Sequence, residues 1–405
     1  MTGTDPAIFM KIAILTNDNR EIFKDYSPPT PLFGPAPDAL LQGLAALPRE
    51  VEVHVISCLR KPPVFPEKIA ENIWYHGLIV PKMGWLRTGY LGCIRATRKK
   101  IHEIKPDLVH GQGTERDCSI SAVFSGFPSI VTIHGNMNAI ANLHHSRIGT
   151  FHWLQARVED ITLPRTHGII CISEYVANLV RKYGTKIWFV PNAIHKMFFD
   201  FPRHESAPLK KPLLINVGVV SERKRQHELI KLLESLRVEG LDFDTLFIGI
   251  LPPFPYSTTF TAMLEDANRK HGGFQHIPKM DNQSFCQLYD RASAMIHFSS
   301  EESFGLTFAE AIARGLYLFA SDVGAIRDIA RGVDRVQIIG LENWDELKNR
   351  LRQWMTSGDW KKPRPASAPE EFVQRYHPVS VARKHLEIYR SVIEEFKQRR
   401  SPSSS

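Results

Sequence analysis

Apolar positions along the chain fall into short runs separated by stretches with helical spacing. In the first half the runs are Lys11–Leu15, Val51–Ile56, Leu108–His110, Ile130–His134, Ile169–Ile172 and Ile187–Val190. They are rich in β-branched residues and nearly continuous, which suits strands of a parallel sheet covered on both faces. A segment rich in proline and charge, 196–211, interrupts the pattern and reads as an interdomain linker. A second series follows: Leu213–Val217, Leu246–Gly249, Ala294–His297, Leu316–Ala320 and Val336–Ile339, each leading into a helical stretch. The expected fold is α/β: two doubly wound, Rossmann-like domains, 1–195 and 212–375, with the interdomain cleft as the default ligand site. Trp344–Trp354 and Val379–Lys397 read as amphipathic helices, the latter within a final segment 376–400, and 401–405 as a disordered tail.

Composition narrows the class. At 405 residues the chain exceeds what one core usually supports, and 43% hydrophobic with 23% charged residues is ordinary for a globular protein. No run of about 18 apolar residues occurs, and Met1–Pro6 lacks the basic and apolar regions of a signal peptide, so a cytoplasmic protein is expected. Cys58, Cys93, Cys118, Cys171 and Cys286 are odd in number and scattered, which predicts reduced, buried thiols, with neither disulfides nor structural zinc. The formal charge of +8 and pI near 9.2 point to an anionic partner: a nucleotide, a phospholipid surface or, least favoured, a nucleic acid. Arg95, Arg98, Lys99 and Lys100 crowd one helical stretch, read as a solvated face, with peripheral membrane contact as the lesser alternative.

The chemistry concentrates in Ser300–Gly315. A buried strand, Ala294–Phe298, leads through Gly305 into a helix, Thr307–Arg314, that Gly315 ends. Glu302 and Glu310 flank the turn eight positions apart. Two readings fit: the glutamates complement the helix dipole, or the helix start at Phe304, Gly305, Leu306 and Thr307 binds phosphate while the carboxylates accept sugar hydroxyls. A second candidate follows the first strand of the second domain, where Gly218 precedes Arg223, Lys224 and Arg225. Cations are poorly placed at a helix start, so this basic turn suits a diphosphate better than it suits the helix. A third is Thr132–Asn136, whose His134 ends a first-domain strand; His110, one strand earlier, reads as a packing residue.

The stretch Ser300–Ile329 resembles the signature of the retaining glycosyltransferases of family 4, and the resemblance extends from Lys11 to about Lys397. It implies the GT-B architecture, a final helix crossing back onto the first domain, and retaining transfer from a nucleotide-diphosphate sugar to a carbohydrate or lipid-linked acceptor, with no metal or other cofactor. It further implies roles. Glu302 and His134 contact the donor sugar, Glu310 the ribose, Lys224 the diphosphate together with Gly218 and Arg223, and the segment around Lys279 the base. Gly34 and Asn136 fall on the acceptor side. Ser173, at a helix start, and Pro191–Asn192 match further landmarks of the family.

This chain also departs from the pattern. Val219 stands where the family has an arginine, Tyr317 replaces a proline, Pro278 and Ala193 replace glycines, and His195 replaces an aspartate. The family's glycine-rich first loop becomes Asp18–Pro37, with five prolines, read either as a semi-rigid acceptor-facing loop or as a mobile surface loop. Such departures are what a non-catalytic nucleotide-sugar-binding scaffold would show; a sugar-nucleotide epimerase is the other rival. Retention of Glu302, Glu310, Lys224 and His134 favours the transferase, set in cell-surface polysaccharide or glycolipid assembly.

Overall fold

A computed structural model describes residues 9–143, 145–203 and 209–400. The expected disorder of 401–405, and 204–208 within the expected linker, lie outside the described residues. The chain divides into two compact units, one comprising 1–193 and 376–405, the other 194–375.

The first unit holds an eight-stranded sheet formed by β1 (Met10–Leu15), β2 (Val51–Leu59), β3 (Lys68–Ala70), β4 (Ile73–Ile79), β5 (Leu108–Gln112), β6 (Ser129–Ile133), β7 (Gly168–Cys171) and β8 (Ile187–Phe189). The order is β3-β4-β2-β1-β5-β6-β7-β8, parallel except for the β3–β4 edge pair. Ile12, Ile14, Val53, Val55, Leu108 and Ile130 fill one face of the sheet against Leu40 and Leu44 of helix Pro35–Ala45 and Leu386, Tyr389 and Val392 of helix Pro378–Arg400. These two helices touch so closely that a Cβ at Gly43 would lie 2.1 Å from the Pro378 carbonyl oxygen. Each such large apolar side chain contributes about 1.5–3 kcal/mol on burial, which anchors the last helix firmly in this core.

The second unit holds β9 (Leu213–Val217), β10 (Asp244–Ile248), β11 (Phe274–Ile277), β12 (Ala294–His297), β13 (Tyr317–Ser321) and β14 (Val336–Ile339). All are parallel, in the order β11-β10-β9-β12-β13-β14. This doubly wound order reverses direction between β9 and β12, so the loops leaving those strands diverge and open a crevice. Leu214, Phe247, Ile296 and Phe319 form the core with Leu229, Leu233, Phe260, Leu347 and Trp354 from the covering helices.

Two sequence expectations change here. The first part of the presumed linker is folded: helix Met197–Asp200 buries Phe198 in the second unit, and Arg314 donates to the Phe201 carbonyl at 2.7 Å. The proline-rich segment Asp18–Pro37 is also no mobile loop. Asp18 caps helix Asn19–Phe23 and pairs with Arg20 at 2.6 Å, both side chains fully buried, while the Tyr75 hydroxyl donates to Asp18 and Arg20 donates to the Pro28 and Val64 carbonyls. A buried pair with its hydrogen bonds satisfied fixes its segment. Among the described residues, no helix is long and apolar enough to cross a membrane. Arg95, Arg98 and Lys99 are exposed on helix Leu91–Ile104, and Lys100 pairs with Glu103 at 2.5 Å.

Candidate functional site

In the second unit the two strands beside the reversal each deliver one half of a charged cluster. After β9, Gly218 leads into a short 3-10 turn, Glu222–Lys224, and after β12 the chain runs through Glu302 to Gly305. Lys224 Nζ meets Glu302 Oε2 at 2.6 Å, His297 Nε2 approaches the same oxygen at 3.3 Å, and Arg223 reaches it at 3.6 Å. The loops are also laced together: Arg223 donates to the Glu301 carbonyl, and the Ser300 N–H donates to the Arg223 carbonyl. Burial alone would raise the Glu302 pKa, but the Lys224 ammonium and His297 outweigh it and hold the carboxyl well below the usual range. Burial lowers Lys224, with Glu302 opposing the shift.

Glycines set this geometry. A Cβ at Gly218 would press on the Lys224 stem at 3.2 Å, so the missing side chain lets the lysine lie across the strand end. A Cβ at Gly324, whose φ is +53°, would sit 1.5 Å from the Glu302 carbonyl oxygen. Gly305, at φ +98°, starts helix Leu306–Ala313 with no side-chain cap. The first intrahelical bond there runs from the Ala309 N–H to the Gly305 carbonyl, so the N–H groups of Leu306, Thr307 and Phe308 precede the helical ladder. Phe304 is buried beneath this start.

Glu310 lies one turn inside that helix without a cationic partner among the described residues. Burial raises its carboxyl to about 7, with the Tyr289 hydroxyl opposing. That phenol is itself buried, and its hydroxyl makes no well-formed hydrogen bond among the described residues. Lys279 is exposed beyond β11, three strands from the β12 that leads to Glu302, so the structure does not bring it to Glu302; strand spacing alone puts roughly 14 Å between them.

In the first unit, His134 follows β6 and its Nε2 contacts Gln112 Oε1 at 2.8 Å. An amide oxygen only accepts, so Nε2 carries the proton and Nδ1 presents a lone pair. That Nδ1 is buried and makes no well-formed hydrogen bond among the described residues, with the Asn192 side chain beside the ring. Burial lowers the imidazole to about 4, which keeps it neutral. Behind it, His110 is fully buried between the Tyr389 hydroxyl and Thr132 Oγ1, each at 2.7 Å, as a packing residue should be.

Asn136 needs correcting. Its Oδ1 accepts the Ala139 N–H at 2.8 Å and its Nδ2 donates to Glu159 at 2.7 Å, which makes it a cap for helix Met137–Leu143 rather than an acceptor contact. Gly34 caps helix Pro35–Ala45 with φ −65°, and a Cβ there would meet only Pro37 at 3.7 Å, so nothing in the structure requires glycine. Ser173 caps helix Glu174–Val180 as expected, accepting from the Val176 N–H.

The sequence reading missed four groups. Gln112 sets the His134 tautomer, and His297 supports Glu302. Glu159, fully buried, accepts from Thr114, Asn136, Asn138 and the Met137 N–H. Glu115 lies against Gly135 and is raised to about 7 by burial and, less, by Glu159. Only His297, at the end of a predicted strand next to the Ser300–Gly315 segment, carried a signal; the others depend on tertiary contacts.

Most departures from the family pattern have local explanations. Ala193 does not adopt a left-handed backbone, so it needs no glycine, and His195 Nδ1 accepts the Met197 N–H where the aspartate would. Tyr317 accepts a bond from Gln337 at 2.6 Å and packs on Phe319 and Trp354. Val219 is different: it is 47% exposed and apolar at the mouth of the basic turn.

The family model Glycosyltransferase Family 4 matches residues 38–196, and the model Glycosyl transferases group 1 matches 198–368. No curated protein matches the sequence. Among solved structures the chain is similar to sucrose-phosphate synthase from Thermosynechococcus elongatus, at 15% identity over 96% of this chain and 98% of that one, with a TM-score of 0.65. It is similar to Anabaena HepE in complex with UDP-glucose, at 14% identity over 94% and 100%, with a TM-score of 0.67. It is also similar to WaaG, a glycosyltransferase involved in lipopolysaccharide biosynthesis, at 16% identity over 94% and 99%, with a TM-score of 0.65. At these identities the likeness shows the fold, GT-B. The two family models together span well over half of the sequence, and the chain belongs to the group 1 glycosyltransferases of family 4.

Proposed function

We propose that this glycosyltransferase takes a nucleotide-diphosphate sugar as donor and transfers the sugar to an acceptor hydroxyl with retention at the anomeric carbon. The observation that carries the reading is the Lys224–Glu302 pair at the reversal of the second sheet, beside an uncapped helix start. Lys224 spends one of its three N–H bonds on Glu302, leaving two for a diphosphate; Arg223 adds a second cation. The N–H groups of Leu306 and Thr307 meet the remaining phosphate oxygens. Charge that develops on the departing diphosphate is thus stabilised by fixed groups, without assigning a metal to the step. Glu302, held ionised, accepts donor-sugar hydroxyls, and Glu310 accepts from the ribose. His134 Nδ1, neutral and without a well-formed hydrogen bond, is suited to accept a further sugar hydroxyl. HepE, which shares the fold, binds UDP-glucose, and WaaG acts in lipopolysaccharide biosynthesis; both favour a nucleotide-sugar donor and a cell-surface glycan or glycolipid as product.

Titration with UDP, GDP, ADP and their common sugar conjugates, read by thermal stability and release of free nucleotide, tests this. One diphosphate stabilises the protein, and one conjugate is slowly hydrolysed by the wild type but not by Glu302→Ala. The anomeric configuration of the transferred sugar, read by proton NMR, then tests retention. Val219 favours one alternative, a binding scaffold: diphosphate binding with no turnover of any conjugate would establish it in place of the enzyme.

A further inference from the structure

Cys58, Cys93 and Asp117 are distant in sequence, and the spacing of the cysteines predicts that they stay apart. The fold brings them together: one sulfur from each thiol and a carboxylate oxygen lie within 4.8 Å of one another. Cys58 is the penultimate residue of β2, Cys93 is buried on helix Leu91–Ile104, and Asp117 immediately precedes helix Cys118–Val123. We propose that these three side chains form a binding site for a thiophilic divalent cation of the zinc class, which clips the three elements together.

Asp117 supplies the second, independent observation. Aspartate before a helix normally takes extended backbone and accepts an N–H from the first turn. Asp117 does neither: its backbone is helical, at φ −81° and ψ −14°, and its side chain makes no capping bond. The carboxyl turns towards the thiols and forms no ion pair among the described residues, although it is only 5% exposed. Without a metal the two thiols donate to this carboxyl and the Arg116 charge lies near it; a divalent cation would take the place of the two thiol protons at the same three atoms. Contact with Cys93 and then burial hold the Cys58 thiol protonated, and burial raises Asp117.

Charge and geometry both suit the ion. Two thiolates and a carboxylate carry three negative charges; a divalent cation and the neighbouring Arg116, whose guanidinium lies 5.0 Å from the Trp85 ring, balance them. On binding, two metal–sulfur bonds and one metal–oxygen bond form, and the thiol protons leave to solvent. Zinc–sulfur bonds of about 2.3 Å at a tetrahedral centre set the sulfurs about 3.8 Å apart. The present separations need contract by no more than about 1 Å, against that same tetrahedral spacing. Water completes the shell on the side of Cys58, the most exposed of the three. Asp117 closes the loop that begins after Gln112, so the clip also steadies the segment that orients His134.

The test uses the full chain, reduced and stripped with a chelator, then titrated with zinc and, as a spectroscopic probe, cobalt. The wild type takes up one equivalent and shows thiolate-to-cobalt charge transfer with tetrahedral d–d absorption. Cys58→Ser and Cys93→Ser each weaken binding at least tenfold and lose the charge-transfer intensity of one thiolate, while Cys286→Ser changes neither. Circular dichroism of the stripped variants separates lost binding from lost fold, and Asp117→Asn, which retains both sulfurs, weakens binding in a protein of unchanged shape. No uptake by the folded, reduced wild type would overturn the proposal. So would binding that survives in the Cys58→Ser/Cys93→Ser double variant, or a Cys58–Cys93 disulfide in the isolated protein that yields no metal site when reduced.

Discussion

The two units solve the same problem, keeping polar chemistry at the ends of buried parallel strands, in opposite ways. Around Glu302 the second unit pairs charges: a carboxylate held ionised, an ammonium at 2.6 Å and a guanidinium beyond it. Around His134 the first unit keeps its groups neutral: an imidazole lowered to about 4 and a Glu115 carboxyl raised to about 7, linked to amides and hydroxyls. Fixed charge suits a diphosphate, whose own charge is permanent and grows on departure. Neutral groups with free lone pairs suit hydroxyls, which donate without ionising. The contrast also predicts different weaknesses, because a broken charge pair leaves an ion stranded while a broken neutral contact leaves only an unmade bond.

The largest effect is expected at the charged cluster. Lys224→Ala should cost at least about 100-fold in kcat and about 3 kcal/mol in stability, since it strands Glu302. Lys224→Ala/Glu302→Ala should be as inactive but more stable than Lys224→Ala alone, by urea unfolding; equal stability would mean that the pair is not coupled. Next comes Gly324→Ala, whose new Cβ collides with the Glu302 loop. It should lower turnover about tenfold or more and stability by about 1–3 kcal/mol, with no change at His134 by NMR. In the neutral region, Gln112→Ala frees the His134 tautomer and should lower kcat roughly tenfold, worth about one hydrogen bond, with little change in Tm. An unchanged kcat would separate His134 from the reaction.

The smallest effect is a slope. Glu310 has a folded pKa of about 7 against an ordinary value of 4.5, so the folded state binds its proton more tightly than the unfolded one. Its contribution is full below pH 4.5 and is lost as pH rises through 7. Glu310→Gln should therefore gain Tm relative to the wild type across that window and match it near pH 4.5. A difference independent of pH would show that the carboxyl is already ionised in the folded protein.

Much of this was legible in the residue pattern. Buried parallel strands announce themselves by β-branched runs, which is why β1, β2, β9 and β12 fall where the sequence placed them. The strands β3, β4 and β11 did not, because they are short or alternate and carry polar residues such as His76 and Gln275. Glu302, Lys224 and Gly305 were legible as candidates because they sit in loops adjoining predicted strands. Their partnership was not, since Lys224 and Glu302 belong to different βα loops joined only by the strand order. Asn136 failed for the converse reason: the polar residue after a strand was capping its own helix, with Glu159 as partner from a later helix.

The helix Pro378–Arg400 has a consequence for how the chain is made. The second unit is one uninterrupted segment and can acquire its whole core while synthesis continues. The first unit, begun much earlier, lacks Leu386, Tyr389 and Val392 until the final helix emerges, and His110 has no Tyr389 to meet. The part of the molecule that is translated first is therefore the last to be finished. During that interval its exposed sheet face, with the groove above helix Pro35–Ala45 still empty, is where a chaperone or a stray strand would find purchase.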